Sequence, residues 1–125
     1  MTTTCTNTVS PDGKYIIQKI VGEINAEIAL DLDRETNALG RRLGINSCLT
    51  DVTECRNVAS IIDNYNFAYK DLLVDPGIDR LARVALLVDP QDNSHDFMET
   101  AARNAGFNVT IFRDREEAIR HLLKA

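Results

Sequence analysis

Two aspartates close apolar runs in this chain, Asp51 in NSCLTDVT and Asp89 in ARVALLVD. Each is followed by more oxygen-bearing side chains, Thr53 and Glu54 after the first, Asp92 and Ser94 after the second. Carboxylates and hydroxyls on neighbouring loops can hold a divalent cation or divide acid and base roles. In an open α/β sheet such loops lie beyond the carboxyl ends of the strands, above all where strand order changes. The candidate loop site is therefore Asp51, Thr53, Glu54, Asp89, Asp92 and Ser94. Neither spacing is diagnostic of a metal, and Asp at such boundaries commonly accepts backbone N–H groups, so Asp89 and Asp92 are expected to shape turns and caps.

Other reactive side chains point to less chemistry. His95 and His121 are far apart and make no triad, and a surface or structural role is expected for each; protonated His121 would favour the carbonyls of a helix C-terminus. Cys5, Cys48 and Cys55 are odd in number and form no CxxC, which argues against a disulfide scaffold or a zinc cluster. No GxxxxGK phosphate loop occurs, and VDPGID does not reproduce a dinucleotide loop. The sequence therefore calls for no catalytic residue, metal or cofactor.

Composition narrows the partners. Nineteen acidic against fourteen basic residues give a net charge of -5, unsuited to a broad phosphate-backbone interface, so nucleic acid is excluded. No apolar run approaches the length of a membrane span, and MTTTCTNTVS is no signal peptide, so a cytoplasmic location is expected. With 125 residues, one domain over 1–125 can bury its own core.

The elements that must position these residues follow from turn signals and periodicity. TTTCTNTVS and KYIIQKIV flank SPDGK and read as an N-terminal hairpin with a polar edge strand. Asn25 caps a helix whose stripe is Ile28, Leu32, Leu39 and Leu43; Gly40 permits a close approach to the sheet or an early end. Residues 46–53 form a short strand. A helix then places Val58, Ile61, Ile62, Tyr65, Tyr69 and Leu72 on one inward stripe, with Phe67 off it. Tyr65, Phe67 and Tyr69 become the candidate apolar interaction surface. ARVALLVD has the continuous apolar character of a parallel strand covered on both faces. Asn93 or Ser94 caps the helix bearing Phe97, Met98, Ala101, Ala102 and Ala105, which Gly106 ends; NVTIF is the last strand, and Asp114 with Glu117 opens the last helix. The order ββαβαβαβα predicts crossover units on a mostly parallel sheet.

The wording of four segments, KYIIQKIVGEINAEIA, NSCLTDVTEC, DRLARVALLVDP and GFNVTIFRDREEAIRHLL, resembles the SpoIIAA-like part of the STAS superfamily, named for sulfate transporters and anti-sigma factor antagonists. The resemblance covers nearly the whole chain. It implies an α/β fold, a mixed β-sheet with an N-terminal hairpin and about four packing helices, used for protein interaction in regulation. Related domains are also suspected of binding lipids or other apolar ligands. Anti-sigma antagonists carry a phosphorylatable serine at the start of the helix after the central strand. Here DVTECRNVASIIDNY has no Asp-Ser there and Ser60 does not match its position, so no phosphorylation site is carried over. A phospho-acceptor receiver fold is a weaker fit, because VGE rather than a carboxylate cluster follows the early strand.

The leading expectation is thus a non-enzymatic regulatory module that binds a protein partner. The alternatives are a carrier or sensor of a small apolar, lipid-like ligand, and an enzyme using the acidic loops. Peripheral membrane association and homodimer formation stay open, the latter through the edge strand or helix surfaces.

Overall fold

A computed structural model describes residues 3–124, so Thr2 of the expected first strand lies outside the described residues. Strand β1 (Thr4–Val9) pairs antiparallel with β2 (Ile16–Ile24). In the turn between them the Ser10 hydroxyl accepts the N–H groups of Lys14 and Tyr15, at 3.1 and 3.2 Å. Helix α1 (Ala26–Leu43) follows, then β3 (Ser47–Asn57). Helix α2 (Ile61–Asn66), a π-helical turn (Phe67–Asp71) and α3 (Leu72–Val74) form one continuous helical run. It leads to β4 (Arg83–Leu87), α4 (Asp96–Asn104), β5 (Asn108–Phe112) and α5 (Arg115–Leu122).

The sheet order is β1-β2-β3-β4-β5, and every pair after the hairpin is parallel. Each crossover therefore advances by one strand in the same direction. Right-handed connections of that kind put their helices on one face. The packing agrees: Ile20, Val52, Leu86 and Val88 meet Ile28 and Leu32 of α1 and Met98 of α4, and Phe67 and Leu72 join Ala102 and Phe107 in the adjoining cluster. Among the described residues only α5, which follows the last strand, covers the opposite face, where Ala118 and Leu122 pack on Tyr15, Leu49, Ala85 and Leu87. Because β4 alternates between both clusters, its apolar run is continuous, as the sequence predicts.

Local chemistry sets most boundaries. Asn25 Oδ1 accepts Ile28 N–H at 2.9 Å, and Asp114 Oδ2 accepts Glu117 N–H at 3.3 Å. A Cβ on Gly40 would lie 2.6 Å from the Ile45 carbonyl oxygen, so α1 can close on the entry to β3 only with glycine there. The helix nevertheless runs on to Leu43 and stops at Gly44, whose φ of 71° suits a left-handed C-terminal residue.

Four expectations need correction. Strand β3 does not end near Thr53 but continues to Asn57, which puts Asp51 inside the strand rather than at its rim. The strand order nowhere reverses, so there is no switch point over which the acidic loops would gather. Neither Asn93 nor Ser94 caps α4: its N-cap is His95, without a side-chain cap bond, and the Ser94 hydroxyl accepts Asn57 N–H at 3.0 Å. Of the expected stripe on the second helical run Leu72 is buried, but Ile61, Ile62 and Tyr65 turn outward at 68%, 71% and 49% exposed, while Phe67 is 4% exposed and Ala68 fully buried. Phe67 is therefore core, not interaction surface. The inward face carries Asn64, Phe67, Ala68 and Leu72 at i, i+3, i+4 and i+8, ordinary helical spacing, and buried Asn64 Oδ1 accepts an N–H of Asn57 Nδ2 at 3.0 Å.

Candidate functional site

Asp51 faces α5 from within β3 and is 2% exposed. Arg115 Nη2, from the first turn of α5, donates to its Oδ2 at 2.7 Å, and Thr53 donates its N–H and hydroxyl to Oδ1 at 3.0 and 2.7 Å. Lys19 stands 3.9 Å away and pairs with Glu54 at 2.8 Å. Burial opposes ionisation, but the Thr53 hydrogen bonds with Lys19 and Arg115 outweigh it and hold the Asp51 carboxyl below its ordinary range. A carboxylate so fully engaged ties α5 to the sheet.

The remaining loop residues are partly brought together. Thr53, Glu54, Asp89 and Asp92 line one shallow surface depression at the carboxyl ends of the strands. Asp51 is not in it and connects to it through Thr53 and, by way of Lys19, Glu54. Asp89 Oδ1 accepts Gln91 N–H at 2.8 Å, and Asp92 Oδ1 accepts Ser94 N–H at 2.8 Å, both turn-forming bonds. Buried His95 places Nε2 3.0 Å from the Cys55 carbonyl oxygen and 3.4 Å from Asp92, pinning this loop to the end of β3. Among the described residues no group of three or more His, Cys, Asp or Glu is arranged to hold a metal.

The other reactive groups are partly or fully buried. Burial pushes the Cys48 thiol up to about 12 and the Cys55 thiol up to about 11, so neither is a nucleophile at neutral pH. His121 does not hold the last carbonyls of α5: burial, then Arg83, lowers its pKa, and Arg83 Nη1 itself donates to the carbonyls of His121 and Lys124 at 3.1 and 2.8 Å.

A second concave feature lies on the α1 face of the sheet. A partly open cavity of about 300 Å³ lies between the sheet and α1, the π turn and α4. It runs along the strands, from Asn25, Asn57 and His95 at the carboxyl ends to Gly44, Ile45 and Asn46 at the entry to β3, and Asn25, Gly44 and Asn46 at its ends are exposed. Most of its wall is apolar, including Ile16, Ile20, Ala29, Phe67, Met98 and Val109. Across this wall runs one polar belt, because the register sets Asn7 beside Gln18 and Gln18 beside Thr50 on adjacent strands. Thr50 donates to Gln18 Oε1 at 2.9 Å, Gln18 Nε2 donates to Asp33 Oδ1 at 3.3 Å, and Thr36 donates to Asn7 Oδ1 at 2.8 Å. Gln18 and Thr50 are 1% and 8% exposed. A long apolar wall with one polar station can take up a small amphiphile and fix its orientation. The sequence carried a signal for this belt: Gln18 interrupts the inward alternation Ile16, Gln18, Ile20, where a third isoleucine would serve a solid core.

With this geometry in view, the fold is recognisable. The chain has a SpoIIAA-like α/β fold. It is similar to the crystal structure of an uncharacterized protein from the DUF3478 family with a SpoIIAA-like fold from Shewanella loihica PV-4, at 24% identity and a TM-score of 0.50, covering 96% of this chain and 93% of that one. A looser likeness, 14% identical with a TM-score of 0.33 over 87% of this chain and 84% of the other, is to an antisigma-factor antagonist STAS domain from Rhodobacter sphaeroides. No protein-family model matches the sequence, and no curated protein matches it.

Proposed function

We propose that this domain binds a small, largely apolar molecule in the cavity between the sheet and α1, as a carrier or sensor. The observation that supports this reading is the cavity itself: about 300 Å³ at the lower edge of ligand-site volumes, elongated, apolar, and crossed by a buried polar belt. A void of that size is expensive to leave in a core, since missing contacts cost stability in proportion to cavity volume. The π turn over the cavity, with Leu72 N–H reaching the Phe67 carbonyl, gives the covering helix a weaker point at which to yield. Native mass spectrometry of gently purified protein, with solvent extraction, is expected to show a bound amphiphile or saturable one-to-one uptake of decanol. Failure to find either would refute the reading.

A protein-binding role, which the family resemblance also implies, draws support from a different surface. Val58, Ile61, Ile62 and Tyr65 are 51%, 68%, 71% and 49% exposed along α2 and its approach, an apolar strip of the kind that marks contact sites. Replacing Ile61 and Ile62 with Lys should leave folding intact and abolish capture of a regulatory partner; capture at the native level by the double variant would remove this strip from consideration.

A further inference from the structure

One charged group on the cavity wall is left short of partners, and its chemistry sharpens the ligand-binding reading, on which the inference rests. Asp33 receives a single long hydrogen bond, from Gln18 at 3.3 Å, on Oδ1, and among the described residues Oδ2 accepts none. The arginines of α1 that could neutralise it are engaged elsewhere. Arg34 holds Asp75 at 2.6 Å and Asp31 at 3.2 Å, and Arg41 donates to the Gly77 carbonyl at 2.7 Å. The titratable groups that β1 and β3 turn toward Asp33 are the thiols of Cys5 and Cys48, both kept protonated chiefly by burial. Glu35 of α1, beside Cys5, and Asp79, on the cavity wall with its Oδ1 taken by Leu81 N–H, only add negative charge. Part of Asp33 reaches solvent, yet desolvation dominates its carboxyl and pushes it up to about 6, so that it is still ionised at neutral pH. The wall thus carries an under-neutralised carboxylate beside an apolar channel. A fatty acid or a phosphate headgroup would meet like charge there, whereas a cationic donor would supply what the site lacks.

We propose that the ligand is a cationic amphiphile: a basic amine on an apolar chain, its ammonium against Asp33, its remaining N–H groups toward the Gln18 and Thr50 oxygens, and its chain along Ile20, Ala29 and Met98. The probes are decylamine, decanol and decanoate, titrated calorimetrically into the full chain at neutral pH. Decylamine is expected to bind about tenfold more tightly than decanol, and decanoate more weakly than either. An alkylammonium stays charged across the acid range, so the preference of amine over alcohol should shrink as pH falls below about 6, where Asp33 takes up a proton. Asp33→Asn should erase the preference of amine over alcohol, with its fold confirmed by thermal melting. Equal binding of amine and alcohol by the native chain, a preference for decanoate, or a preference that survives Asp33→Asn overturns the proposal but leaves a ligand cavity standing. Failure of all three probes to bind saturably overturns both.

Discussion

Each face of the sheet carries a carboxylate, and the two are treated in opposite ways. Asp51, on the α5 side, has two donors from Thr53, a guanidinium and a nearby ammonium, and its acidity is raised. Asp33, on the α1 side, has one long amide contact, and its acidity is lowered. The packing differs in the same sense: α5 seats Ala118 and Leu122 tightly on Leu49 and Leu87, whereas α1 and α4 stand over a channel. A satisfied charge in a filled layer is a fastening. A charge with one long protein contact beside a void is a place for something else to bind.

Several measurements can break this contrast. The largest effect expected is from Leu49→Ala, which hollows the filled face at a fully buried site and should cost about 3 kcal/mol in urea unfolding. Overpacking should separate the faces next: Ala118→Leu is expected to cost about 2 kcal/mol, because Ala118 is wholly enclosed. Ala29→Leu, which grows into the cavity, should cost less than about 0.5 kcal/mol and weaken decanol binding. Equal penalties for the two alanines would mean that the channel does not accept atoms. Asp51→Asn should then destabilise by roughly 1–2 kcal/mol at neutral pH, the Arg115 partner being half exposed. Asp33→Asn should stabilise by about 1 kcal/mol, because it removes a poorly compensated charge.

The pH dependence of those last two variants has opposite sign. Asp33 binds its proton more tightly folded than unfolded, so its contribution is fully present below the ordinary value of 3.8 and lost as pH rises through about 6. The gain from Asp33→Asn should therefore vanish by about pH 4. Asp51 is held below 3.8, so its contribution is present above that value and lost as pH falls through the lowered one. The penalty of Asp51→Asn should fade only in stronger acid. Urea midpoints across this range would show both trends.

Much of the fold was legible because local chemistry decides it. SPDGK makes the hairpin, Asn25 and Asp114 start helices, Gly44 stops one, and the unbroken ARVALL run needs cover on two faces. The second helical run was legible only in part. Its most apolar stripe runs through Ile61, Ile62 and Tyr65, but the face that meets the core carries Asn64, Phe67, Ala68 and Leu72, of which the sequence stripe held only Leu72. Asp51 resembled a strand end because the residues after it turn polar, although the chain stays extended beside β2 as far as Asn57. The acidic loops stood out as chemistry yet mostly bind their own backbone. The polar belt was visible only as one glutamine among isoleucines, and no sequence pattern announces a void, which arises from how far apart helices and sheet come to rest.

Methyl and amide chemical shifts recorded during a decanol titration test the asymmetry most directly. Saturable shifts should appear at Ile16, Ile20, Ala29, Met98 and Val109, with Leu49, Leu87, Ala118 and Leu122 unmoved. Saturation confined to the α5 side, or no saturable change on either face, would contradict the account.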